Sequence, residues 1–430
     1  MALTGRAALL ALLGVVPVAL VPHGTTVWLV LLALALLAGF DVWQAPSPGS
    51  LSLSRSGDTA CRLGETAEVR ITVGNTGGRP ARGVLRDAWV PSAVASPRTH
   101  ELEVPAGERR VVVSTLRPTR RGDRLPDRVT VRLLGPLGVA ARQRSIALPW
   151  QVRVQAPFTS RKFLPEKLDK LRQLDGLLLA RTRGQGTEFD SLREYVDGDD
   201  VRSIDWRATA RRVDVVVRTW RPERDRRVLM VLDTGRTSAG RIGNVPRLDA
   251  SLDAALLLGA LASRAGDRVD LLAVDRVVRA SVEGAGRTEL LSRITDATAL
   301  LEPALVETDG RRLVSEVLRR SRRRSLVVLF TTLDSAALHE GLLPHLPSLT
   351  SRHTVLLASV GDPRLDEVAQ SRGDAAEVYA AAAAEQARTE RVQVATELRR
   401  RGVEVVDAPL TTFAPKVADA YLALKAGGRL

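Results

Sequence analysis

Two uncharged apolar runs separated by only two residues constrain this chain more than any other feature in it. Residues 7–22, AALLALLGVVPVALVP, and 25–40, TTVWLVLLALALLAGF, flank His23 and Gly24. In water, that much aliphatic surface needs a core built around both segments; in a bilayer it needs only lipid. Each run falls short of the roughly 20 apolar residues of a spanning helix, and extending them to Ala2–Val21 and Thr25–Trp43 brings both near that length. The expectation is a transmembrane helical hairpin over residues 1–43. A secretory signal followed by an apolar strand fits less well, because a second apolar run follows at once and no small-residue cleavage site precedes it. A two-residue connection returns both ends to one side. Arg6 and the Arg-rich body then put the soluble domains in the cytoplasm, as a cell-membrane protein with two spans.

A chain of 430 residues has room for two or three folded units. Hydrophobic residues make up 45% and aromatics only 3%, so the interiors should be aliphatic. The net charge is +14, and Arg6 and Asp41 cancel within the first 48 residues, so the excess lies on the soluble part. That balance favours anionic partners such as lipid headgroups, nucleic acid or an acidic protein face. Basic runs occur only at Arg322–Arg324 and Arg399–Arg401, with no aromatics interleaved to stack on bases, so no nucleic-acid partner is expected. Cys61 is the only cysteine, which leaves no intrachain disulfide and agrees with a reducing compartment.

Residues 44–50, QAPSPGS, read as a Pro/Ser linker, and residues 51–156 as a β-rich domain. Glu68–Val73 alternates as EVRITV and ends at the turn signal Asn75-Thr76-Gly77-Gly78. Val111–Thr115 and Arg128–Leu134 repeat the pattern, which suggests a small immunoglobulin-like β-sandwich, read as a spacer. From Phe158 to Ala180 leucines recur at helical spacing, at 164, 168, 171, 174 and 178, with Pro165 near the start of that helix.

Gly184–Arg218 then reads GQGTEFDSLREYVDGDDVRSIDWRATARRVDVVVR. The carboxylates Glu188, Asp190, Glu194, Asp197, Asp199, Asp200 and Asp205 are packed among Arg193 and Arg202, with Arg207, Arg211 and Arg212 following. Phe189, Tyr195, Ile204 and Trp206 are threaded through them. If those four fold inward, the charges are held close enough for bidentate guanidinium–carboxylate pairs, Arg202 with Asp205 or Asp200 among them. The pattern G-x-x-x-E-F-x-x-L-R-E-Y-x-x-G-D-D-x-R-x-I-D-W-x-A-x-A-R, Gly184 to Arg211 and including Gly198, resembles the signature of the DUF58 family. The resemblance implies an N-terminal hydrophobic hairpin, a β-rich region, the signature (here within residues 157–225) and a von Willebrand factor A-like (vWA) domain, here residues 226–430. It also implies partnership with a MoxR-type AAA+ ATPase.

From Arg227 the chain alternates continuous apolar strands with helices. Arg227–Asp233, Asp267–Asp275, Ser325–Phe330, His353–Val360 and a last strand from Val403 are strands; Leu248–Arg264, a stretch near Asp334–Leu346 and one after Thr411 are helical. Strands buried on both faces read this way, so the fold class is multidomain with a C-terminal, doubly wound, Rossmann-type α/β domain. Its ligand site lies beyond the carboxyl ends of the strands. There a vWA domain carries D-x-S-x-S for a divalent cation; here Asp233 and Thr237 remain, Gly235 replaces the first serine, Thr308 is the further threonine, and Thr332 stands where an Asp is usual. Mg²⁺ is therefore at most a degenerate cofactor. A calcium loop from Asp197 fails at Val201 and Ala208, the five histidines are dispersed, and no G-x-x-x-x-G-K-[ST] occurs, so the chain is not itself the ATPase. The expectation is a membrane-anchored, non-enzymatic adaptor of a MoxR-type ATPase in assembly or maturation of a membrane or envelope complex. In it GDDVRSIDW serves as a clasp onto the sheet or as a docking surface. The alternative is a metal-dependent hydrolase using Asp197–Asp205.

Overall fold

The computed structural model describes residues 2–181, 188–211, 214–221 and 226–430, and their side chains except at 175–181, 188–190 and 219–221. The chain divides into two compact units, Met1–Gln155 and Ala156–Leu430.

In the first unit the helix Gly24–Gln44 has 21 residues, a length of about 30 Å, which matches the hydrocarbon core of a bilayer. Among the described residues it is the one helix long and apolar enough to cross a membrane, with a mean hydropathy of 2.1 over an 18-residue window. The first apolar run forms two shorter helices, Gly5–Leu13 and Val15–Leu20, which lie against it. Pro17 lacks the N–H that would continue the first helix into the second, and the run breaks just before it.

The polar ends of this segment are tied to a β-sandwich. Ala2–Leu3 pairs antiparallel with Ala140–Ala141. Asp41, fully buried in the last turn of the long helix, accepts backbone N–H bonds from Leu137 at 2.8 Å and from Val139 and Ala140 at 2.7 Å. Both ends of the apolar segment therefore meet the strand Ala140–Ile146 or the turn before it. Residues 44–50, read from composition as a Pro/Ser linker, lie against the sandwich. Ala45 and Pro48 are buried, Pro48–Ser50 is a 3₁₀ turn, and the Gln44 carbonyl accepts from Arg79 Nη1 at 3.1 Å. The clamp at Asp41 holds the chain against the sandwich before the Pro/Ser stretch begins.

The sandwich faces a five-stranded sheet (Ala2–Leu3, Ala140–Ile146, Pro126–Leu134, Ala81–Trp89, Thr99–Val104) with a four-stranded one (Leu51–Gly57, Ala67–Asn75, Arg109–Leu116, Ala95–Ser96). In Ala67–Asn75 the residues Val69, Ile71 and Val73 point inward while Glu68 and Arg70 face solvent. Ile71 and Val73 pack against Leu85, Val131 and Leu133 of the other sheet, which closes the core.

In the second unit the leucine-spaced helix Leu164–Arg181 precedes a six-stranded sheet. The strand order is Val278–Val282, Arg268–Val274, Arg227–Asp233, Leu326–Phe330, Thr354–Gly361, Glu404–Pro409, all parallel except the first. Val228, Met230 and Leu232 face the helices Arg247–Arg264 and Leu410–Ala426. Leu229 and Val231 face Gly310–Arg320 and Ala375–Arg400. Cover on both faces is why the strands read as unbroken apolar runs. The helix expected near Asp334–Leu346 is three short pieces: Ser335–Ala337, a π turn Leu338–Leu342, and Leu346–Thr350. From Arg227–Asp233 the chain crosses first to one neighbouring strand and later to the other, so the crevice of such a sheet opens above Asp233.

Candidate functional site

The signature folds as a hairpin with a capped insert. Glu188–Glu194 pairs antiparallel with Val216–Arg221, with a bulge between Phe189 and Ser191. The insert closes back on the second strand through Tyr195 N–H to the Val215 carbonyl (2.8 Å), Asp205 N–H to the Val216 carbonyl (3.0 Å) and a bridge from Ile204 to Val217. Gly198, at φ +105°, takes a turn conformation closed to most side chains. Asp199 accepts from Val196 N–H (3.0 Å) and Arg193 Nη2 (2.5 Å). Asp200 caps the 3₁₀ turn Val201–Ser203 through Arg202 N–H at 3.0 Å. Asp205 caps the short helix Trp206–Thr209, accepting from Arg207 and Ala208 N–H at 3.0 and 2.9 Å, and its other oxygen takes Arg218 Nε at 2.7 Å. The Ala208 N–H, then Arg218, holds the Asp205 carboxyl below the usual range. The Arg193 guanidinium, then the Val196 N–H, does the same for Asp199, and Asp199 in turn raises Arg193.

Several expectations about this segment are corrected. Arg202 pairs with neither Asp205 nor Asp200; Arg218 and the chain's own N–H groups take those carboxylates. Trp206 does not fold inward. It is 68% exposed, alongside Val196 at 61% and Val201 at 62%. Tyr195 and Ile204 are half-buried, while Glu194, Arg202 and Arg211 are exposed. Gly184 and Arg212 lie outside the described residues, as do the side chains of Glu188, Phe189 and Asp190.

The second constellation is the crevice above the sheet. Asp233 is buried, and its Oδ1 accepts from Gly235 N–H at 2.8 Å and from the Thr308 hydroxyl. Oδ2 accepts from the Thr331 hydroxyl at 2.6 Å and from the Thr237 hydroxyl at 3.5 Å. The sequence brings Asp233, Thr237 and Thr308 into view but misses Thr331. Leu232 pairs in register with Phe330, so one step further along both strands Thr331 stands beside Asp233; counting from the ends of the two apolar runs would have found it. Thr332, the residue expected there, has a buried hydroxyl with no protein partner. Asp334 caps the next helix through Ala337 N–H.

These groups do not fit a divalent cation. One carboxylate is present, hydroxyls and an N–H already occupy both of its oxygens, and no three His, Cys, Asp or Glu side chains converge among the described residues. Gly235 is the reason the hydroxyl bonds form. A Cβ there would lie 2.1 Å from Thr308 Oγ1 and 2.9 Å from the Val306 carbonyl oxygen. Gly235→Ser, which restores the motif's missing hydroxyl, is therefore expected to expel Thr308 and destabilise the unit by about 1 to 3 kcal/mol. Calorimetry should show no micromolar Mg²⁺ binding by the variant; tight binding with unchanged melting would refute this account of the loop.

A protein-family model described as "Protein of unknown function DUF58" matches residues 191–406. The chain belongs to this family. The DUF58 match takes in the second strand of the signature hairpin, the whole insert and nearly all of the sheet. Uncharacterized proteins of Mycobacterium bovis and Mycobacterium tuberculosis are 30% identical over 199 residues, which is 45% of this chain and 62% of each relative. The DUF58 chain thus spans less than two thirds of the length of the curated relatives it matches. Among solved structures, the CARDB domain of a Pyrococcus furiosus protein is 17% identical over 26% of this chain and 94% of that one, with a TM-score of 0.20. Native alpha-2-macroglobulin of E. coli is 14% identical over 25% and 7%, also with a TM-score of 0.20. Likeness at that level says nothing of what this DUF58 protein does.

Proposed function

We propose that the chain is a membrane-anchored, non-enzymatic adaptor. Its α/β sheet is vWA-like, and its signature insert docks a MoxR-type AAA+ ATPase during assembly or maturation of a membrane or envelope complex. The observation that supports docking over a clasp is the exposure of Trp206, Val201 and Val196 on an insert whose carboxylates Asp199, Asp200 and Asp205 are all engaged within it. Internal caps and ion pairs hold the backbone still, and three large apolar side chains project from it. A preorganised surface with an exposed tryptophan is the form that interface hot spots take. The same bonds weigh against the hydrolase, since Asp199, Asp200 and Asp205 serve three separate local structures. In this reading both apolar runs lie in the membrane and the body is cytoplasmic, in line with the two ends of the segment meeting one edge of the sandwich.

The test is the double variant Val201→Ala, Trp206→Ala in the full chain. Melting should stay within about 2 °C of wild type, because neither side chain is buried. Affinity for the MoxR-type ATPase of the same organism, measured by surface-immobilised binding, should fall by at least about thirtyfold, the effect of losing one hot-spot tryptophan. Unchanged affinity would sink the docking role.

A further inference from the structure

Four guanidiniums lie around the foot of the Gly24–Gln44 helix, and carbonyl oxygens rather than carboxylates position three of them, those of Arg6, Arg79 and Arg142. Arg6 Nη1 donates to the Leu137 carbonyl at 3.2 Å, and Arg142 Nε to the Val42 carbonyl at 2.9 Å. Arg79 Nη1 donates to the Gln44 carbonyl at 3.1 Å and to its side-chain oxygen at 3.0 Å. Arg144 reaches Gly49, its Nη1 lying 3.5 Å from where a Cβ on that residue would be. Arg6, Arg79 and Arg144 are exposed and Arg142 is half-buried. Among the described residues none of the four has an ion-pair partner. Asp41, the acid within this junction, is buried with its oxygens taken by three backbone N–H groups, and it forms an ion pair with none of the four.

Each guanidinium carries five N–H donors, and the bonds above use one or two of them on Arg6, Arg79 and Arg142 and none on Arg144. The remaining donors form forks of the geometry that phosphate oxygens accept. Their height is set by the helix they ring. Phe40 and Trp43, with ring centroids 6.4 Å apart and 48% and 70% exposed, lie in the last turns of that helix, where aromatic side chains mark the headgroup level of a bilayer. Asp41 fixes the helix to the turn that Arg6 bonds, so the arginines cannot drift from that level.

We propose that Arg6, Arg79, Arg142 and Arg144 form a binding site for the phosphates of anionic phospholipids, which seats the sandwich on the headgroup layer of the leaflet it adjoins. The site rests on reading Gly24–Gln44 as a membrane anchor. The anchor clamp and the site are separable, because the arginines act on the kind of lipid retained and the apolar helix on whether lipid is retained at all. A basic residue at an anionic surface favours it by a factor of about five.

The full chain is reconstituted into nanodiscs holding phosphatidylcholine and phosphatidylglycerol in known ratio, released, and its retained lipids counted by native mass spectrometry. The ratio of phosphatidylglycerol to phosphatidylcholine retained should exceed that of the disc by at least about fivefold. The triple variant Arg79→Gln, Arg142→Gln, Arg144→Gln should incorporate equally well but retain lipids in the disc's own ratio. A variant with lysine at all three positions should recover most of the enrichment, which separates loss of charge from misfolding. Excess inorganic phosphate should leave the enrichment in place; displacement by it would overturn the lipid as ligand in favour of a free anion. Wild-type protein that incorporates with no preference for phosphatidylglycerol overturns the site and leaves the anchor standing. Protein that stays out of discs and remains soluble without detergent overturns the anchor, and the site with it.

Discussion

Asp41→Ala should destabilise the first unit by about 3 to 5 kcal/mol, estimated from two buried backbone N–H groups and one half-buried one losing their acceptor at about 1 to 3 kcal/mol each, with part recovered by relaxation and water. The N–H groups are those of Leu137, Val139 and Ala140, and the carboxylate that meets them is fully buried. For a unit of this size the melting temperature should fall by roughly 10 °C or more. Limited proteolysis should find new cuts in the Gly135–Ala140 turn, since the helix foot that covers it then loses its bonds to Leu137, Val139 and Ala140. Asp41→Asn is a sharper probe. Its amide oxygen in place of Oδ2 keeps the Val139 and Ala140 N–H bonds and its NH₂ faces the Leu137 N–H, so it should recover part of the loss. Near-UV circular dichroism of the full chain in detergent reads the transition, and wild-type melting in either variant would show that the clamp contributes nothing to stability.

Asp41 also marks where the sequence stopped being legible. Read along the chain it is one charge that cancels Arg6; its partners are 96 to 99 residues away, and nothing local announces them. The five parallel α/β strands were legible to within a residue or two because burial on both faces leaves a run of apolar residues that few other structures tolerate, whereas the antiparallel edge strand Val278–Val282, half exposed, was not read. Arg227–Asp233 was read with its observed bounds. Glu188–Glu194 was not read as a strand, since EFDSLRE has neither alternation nor an apolar run and is held by backbone pairing to Val216–Arg221. Trp206 was read as buried because large aromatics usually are. In the crevice Asp233, Thr237 and Thr308 came from motif order, whereas Thr331 needed the register between two strands.

Asp233→Ala should lower the stability of the second unit by about 2 to 4 kcal/mol, which for its length is roughly 5 to 10 °C in melting temperature. The lost carboxylate is the acceptor for Gly235 N–H and the nearest acceptor for the hydroxyls of Thr308 and Thr331. The hydroxyls can rotate to other acceptors but the backbone N–H cannot, so the estimate sits below three full unsatisfied groups. Asp233→Asn distinguishes a hydroxyl-bonded carboxylate from a cation ligand. The amide oxygen can keep Gly235 N–H and Thr308, and its NH₂ can donate to Thr331 once that hydroxyl turns, so the loss should be under about 1.5 kcal/mol. A cation site would respond the other way. Removing the one negative charge would abolish Mg²⁺ binding in the asparagine and alanine variants alike, and Mg²⁺ would raise the wild-type melting temperature through linkage. Thermal melts of all three proteins with and without Mg²⁺ separate the cases. A wild type stabilised by Mg²⁺, with Asp233→Asn as unstable as Asp233→Ala, would mean that the three threonines gather around the carboxylate to hold an ion and not to replace one.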